Sequence, residues 1–167
     1  MGLRPISPID PAAVCMHFDI ALIALSEIDP QCPFLTGDNS CFSAVTVPRG
    51  PEIAIVHNDS HHPYRRRSNI CHELAHCFLG HKCSPPLVES GDRSRDSGIE
   101  AEAAFLAGAL LMPNEAAHYV VRQGLVAQAQ HMFGISDAML TYRLRISGAY
   151  TIHKRRTDGA AHQRGRS

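Results

Sequence analysis

The sequence has no net charge. Lys and Arg number 16, and so do Asp and Glu, so no whole-molecule field singles out one class of partner. It also lacks a C-x-x-C pair. Its six cysteines, Cys15, Cys32, Cys41, Cys71, Cys77 and Cys83, are spaced in a way that argues against a structural zinc knuckle. No secretory signal accompanies them, so they read as reduced thiols, buried or idle, rather than as disulfides. Long apolar runs are missing as well. The stretch 20–25 (IALIAL) follows Asp19 and leads into Ser26 and Glu27 without a small-residue cleavage site. It is too short to span a bilayer and does not read as an export peptide. Gly2 follows Met1, but Ile6 stands where a myristoylation signal needs Ser or Thr. No internal repeat is present. The expectation is a cytoplasmic protein without membrane association.

What is there suits one compact domain. Of 167 residues, 44% are hydrophobic, enough for a core. We expect that domain over 1–150. Residues 151–167 carry Lys154, Arg155, Arg156, Arg164 and Arg166 against the single acid Asp158, with no large apolar residue after Ile152. That composition predicts a basic, disordered tail. Along the domain, Asp10-Pro11 reads as an N-cap and first helical residue, opening an apolar helix over about 11–26. Residues 41–47 and 52–57 are β-rich and joined by Pro48-Arg49-Gly50-Pro51, which predicts a hairpin. Ser68 or Asn69 can cap a helix over 70–80, whose stripe is Ile70, Leu74 and Phe78. A polar loop over 82–97 precedes helices at 98–111, 115–123, 125–132 and 137–147.

His72-Glu73-Leu74-Ala75-His76 spells H-E-x-x-H. On a helix, residues i and i+4 share a face, so both imidazoles can reach one metal ion. Glu73 lies beside that face, where a carboxylate can hold and deprotonate an attacking water. A catalytic zinc needs a third protein ligand and an open position. No H-E-x-x-H-x-x-G-x-x-H extension supplies it, because Gly80 and His81 fall at the wrong offsets. The helix over 98–111 offers Glu100 and Glu102, which point roughly 200° apart at about 100° per residue. Glu100 heads a face of Ala103, Ala104, Ala107 and Gly108, small enough for two helices to approach closely. Glu102 heads a face with Phe105 and Leu106. The small face favours Glu100, with Glu102 as the alternative.

The segments 70–81 (ICHELAHCFLGH) and 99–113 (IEAEAAFLAGALLMP) resemble the ImmA/IrrE family of metallopeptidases. The preceding hairpin and the later 133–148 (FGISDAMLTYRLRISG) extend the likeness over about 41–148. The resemblance implies an α+β, zincin-like fold. A small antiparallel sheet would pack on a mainly helical bundle, with the H-E-x-x-H helix at its centre. It implies Zn2+ held by His72, His76 and Glu100, with Glu73 as the base. It further implies a protein substrate, a helix-turn-helix transcriptional repressor. The chain departs from the family pattern at Ala104, where relatives often carry Asn or Asp, so support for the metal-bound histidines must come from elsewhere. We expect no N-terminal DNA-binding domain of the kind that some relatives carry.

Other features carry less. His57, His61, His62, His81, His118 and His131 each have ordinary structural uses, as do Tyr64 and Tyr119, and no oxyanion-stabilising group is named among them. Arg65-Arg66-Arg67 reads as a solvated basic loop before the motif helix. The strand 52–57 could receive an extended peptide by main-chain pairing. Residues 125–147 have a helix-turn-helix layout whose Arg143 and Arg145 could meet phosphates, but packing is the stronger reading and nucleic acid is not an expected partner. Two rival functions remain: a module that sequesters its repressor without cutting it, and a DNA-binding regulator with a vestigial metal site.

Overall fold

The structure, a computed structural model, describes residue 4 and residues 6–37, 40–50, 52–81 and 97–164. Cys83 and almost all of the expected loop at 82–97 lie outside them. Contacts divide the chain into two compact units, Ile9–Leu111 and Met112–Ser167 with 2–8. The fold class is α+β.

The first unit opens with helix α1 (Pro11–His17), capped by the Asp10 carboxylate, which accepts from Ala12 N at 3.1 Å. The helix is shorter than expected. Asp19 adopts φ 54°, which stops it, and Ile20–Ala24 then extends as strand β1. Helix α2 (Leu25–Ile28) follows. The hairpin is present as β2 (Ala44–Arg49) and β3 (Glu52–His57). The sheet order is β1-β3-β2, with β1 parallel to β3 and β2 antiparallel to it. The expected antiparallel sheet is therefore a mixed one. The physical reason is that a short unbroken apolar run buries equally well as a helix or as a strand beside a parallel partner. The same order corrects the reading of β3 as a receptive edge: β3 is central, and β1 and β2 are the edges.

Helix α3 (Pro63–Leu79) begins seven residues before the expected start. Pro63 takes the first helical position, and the His62 ring accepts from Tyr64 N at 3.2 Å. The triple arginine thus belongs to the helix rather than to a loop. Arg65 donates to Ser40 O and Ser43 Oγ, both at 3.3 Å, and Arg67 donates to Ile9 O at 2.6 Å. At the other end Gly80 sits at φ 68°. Its N–H bonds Cys77 O and the His81 N–H bonds His76 O, a Schellman turn that requires the left-handed conformation glycine adopts without strain. Val14, Cys15, Ile20, Ile55, Ile70 and Leu74 form the core of this unit. Helix α4 (Ser97–Leu111) packs along α3 through buried Ala103, Ala107 and Gly108. Packing against α1, α4, β2 and β3 makes α3 the centre of the unit.

The second unit holds α5 (Asn114–Arg122), α6 (Val126–Phe133), α7 (Asp137–Ile146) and α8 (Ala149–Arg164). Arg143 is buried, donating through Nε to Met112 O at 2.8 Å and through Nη2 to Asn114 Oδ1 at 2.7 Å. Burial lowers the pKa of its guanidinium. Helix α8 covers much of the stretch expected as a disordered tail. Buried Ala149 and half-buried Ile152 seat its first turn. The exposed Lys154, Arg155 and Arg156 that follow are good helix formers although they bury little. Among the described residues no helix is long and apolar enough to cross a membrane.

Candidate metal centre

The i, i+4 spacing on α3 brings His72 and His76 edge to face, with ring centroids 4.7 Å apart and Nε2 atoms 3.1 Å apart. Close packing of α4 through its small face carries Glu100 to the same point. Its Oε2 lies 3.2 Å from His72 Nε2 and its Oε1 3.8 Å from His76 Nε2. One ligand atom from each of the three residues falls within 4.8 Å of the others. A tetrahedral zinc with bonds of about 2.0–2.1 Å sets its ligand atoms about 3.3 Å apart. Two imidazoles and a carboxylate at these separations therefore fit such an ion, leaving one position open. Burial first, then the neighbouring His72, lowers the pKa of His76. Both favour its neutral imidazole, the form that ligates a metal.

The remaining residues separate by role. Glu73 lies beside the cluster, and its Oε2 accepts a hydrogen bond from Thr46 Oγ1 at 2.7 Å. Thr46 is buried on β2, an edge strand against α3. The sequence places Thr46 only within a β-rich run, 41–47, and nothing in that run marks it as the partner of an acid. Glu102 does not join the cluster. Its Oε2 stands 3.5 Å from His81 Nε2, and His81 Nδ1 faces His76 Nδ1 at 2.9 Å. Of the other histidines, His57 ends β3, where burial and then Arg66 lower its pKa. His61 is buried beside Asn69, and His118 Nε2 lies 2.9 Å from Ser147 O. Tyr119 packs under Arg122 at 5.9 Å. The thiols of Cys15 and Cys71 are pushed up by burial to about 11 and about 12, which suits inert core cysteines. No disulfide joins the five described cysteines.

A family model, Peptidase_M78, IrrE N-terminal-like domain, matches residues 32–145. The chain belongs to this peptidase family. The matched segment takes in β2 with Thr46, all of α3 with the H-E-x-x-H motif, and α4 with both glutamates. Most of the second unit falls within it too, up to the last turn of α7. Membership in a peptidase family implies a protein substrate and a metal. No curated protein sequence matches the chain.

Proposed function

We propose that the protein is a zinc-dependent endopeptidase that cuts a protein partner, a helix-turn-helix transcriptional repressor, in the cytoplasm. One observation carries the reading: His72, His76 and Glu100 gather their donor atoms within 4.8 Å, with the Glu73 carboxylate held beside them by Thr46. When bound there, zinc supplies Lewis acidity and brings the pKa of the attacking water towards about 7. His72, His76 and Glu100 would hold the ion. Glu73 takes the proton of the attacking water and later delivers it to the leaving amine. Thr46 fixes the Glu73 carboxylate so that its second oxygen can turn to the water. The repressor rests on the family resemblance of the motifs, and the peptidase chemistry on the site.

Glu73→Gln separates enzyme from binder. The substitution keeps size and hydrogen bonding, leaves both imidazoles intact and removes the base. Zinc should remain bound, and cleavage of a purified repressor should fall by about 10²–10⁴-fold. Cutting by the wild type alone, with both proteins retaining the repressor in a pull-down, supports the peptidase. Retention by both with cutting by neither, in zinc- or manganese-supplemented buffer, supports sequestration instead. Equal cutting by both removes Glu73 from the mechanism. The DNA-binding alternative loses one of its two cations, because Arg143 is buried against Met112 and Asn114.

A further inference from the structure

His76 is held from two sides. Its Nε2 faces His72 and Glu100, and its Nδ1 faces Nδ1 of His81 at 2.9 Å. An imidazole that ligates through Nε2 carries its proton on Nδ1, and that N–H needs an acceptor. The lone pair of His81 Nδ1 stands in the place to accept it. The proton of His81 then sits on Nε2, and that nitrogen points to Glu102 Oε2 at 3.5 Å. Each assignment forces the next, and the direction of every hydrogen bond follows from the first.

We infer that His81 is a positioning residue for the metal centre: it accepts the Nδ1–H of His76, fixing the tautomer and ring plane of that ligand. The inference rests on the proposed metal site. His81 is not itself part of the ligand cluster, because its Nδ1 meets the far side of the His76 ring. Its placement is built into the chain. The Schellman turn at Gly80 bonds the His81 N–H to His76 O at 3.0 Å, so the two residues are joined through backbone and ring together. The His81 side chain is only 10% exposed, so water competes poorly for its Nδ1. Glu102 is 69% exposed, and a pair so open to solvent contributes little. The support of His76 Nδ1 therefore comes mainly from His81, with Glu102 as a minor brace.

Zinc affinity, measured by competition with a chromophoric chelator, tests the ranking. His81→Ala should weaken zinc binding about 10–100-fold, the usual cost of losing a hydrogen-bond partner of a ligand. His81→Gln, whose side-chain carbonyl can accept the same N–H, should recover part of that loss. Glu102→Ala should change affinity less than about fivefold. An independent reading comes from long-range ¹H–¹⁵N correlation spectra of the zinc-loaded wild type. They should show His76 protonated on Nδ1 and His81 protonated on Nε2 alone. A folded His81→Ala protein that binds zinc as tightly as the wild type overturns the inference. So does a His81 ring that carries its proton on Nδ1, a result that stands even if the Ala variant does not fold. Failure of the wild type to bind zinc at all would instead remove the metal site on which the inference depends.

Discussion

Glu100 and Glu102 are two residues apart on one helix, yet they meet different partners. Glu100 reaches His72 and His76, whereas Glu102 reaches His81. Glu100→Ala should therefore abolish tight zinc binding while Glu102→Ala largely preserves it, as equilibrium dialysis can show. The reverse order would place the wrong carboxylate at the centre. Thr46→Val keeps the shape of the side chain and removes the donor to Glu73. A hydrogen bond to a charged group is worth about 1.5–3 kcal/mol, so kcat on a peptide substrate should fall about tenfold or more, with KM little changed. The histidines also set a pH dependence. His57 and His76 both have pKa values lowered mainly by burial. The stability they contribute is complete above the unfolded-state value of about 6.5 and is lost as pH falls through it towards the folded values. Melting temperature of the metal-free protein should drop across that window, and a flat or rising profile would contradict the assignment.

At the level of elements, legibility followed the strength of local signals. The bounds of β3 are those read from its composition, and α4 starts one residue from its expected position, because a β-rich run before a turn and an Ala-rich helix are unambiguous. The convergence of His72 and His76, with Glu73 beside them, was legible because i, i+4 spacing maps directly onto a helical face. Strand β1 was not, since Ile20–Ala24 is apolar on both faces and only its pairing with β3 decides its form. The early start of α3 was missed although Pro63 marked it, because the polar arginines after it look like a loop until Ser40, Ser43 and Ile9 are seen to receive them. Thr46 and His81 could not be ranked from sequence at all: their partners lie across the fold or around a turn. Gly80→Ala tests that turn. Forcing a Cβ into the left-handed conformation costs roughly 1–2 kcal/mol. Among the described residues, no heavy atom apart from its chain neighbours and the helix's own backbone stands within 4 Å of such a Cβ, so the loss of melting temperature should reflect mainly backbone strain.

On the scale of the whole molecule, stability resides in the buried residues of each unit rather than in the end of α8. Residues 154–158 are exposed, so deleting 157–167 should leave the melting temperature nearly unchanged. By contrast, Leu74→Ala removes a fully buried side chain from the central helix and should cost about 2–5 kcal/mol, readable in urea melts.

The parallel pairing of β1 with β3 also dictates an order of events at the ribosome. Ile20 must wait for Ile53, and both β2 and the turn after it are synthesised in between. At about 5–20 residues per second, the emerging apolar run spends seconds without the neighbour that makes it a strand. During that interval nothing but local preference governs it, and local preference alone leaves helix and strand open. Nascent chains arrested before and after Val56 should therefore differ sharply in how readily a protease cuts within 20–24.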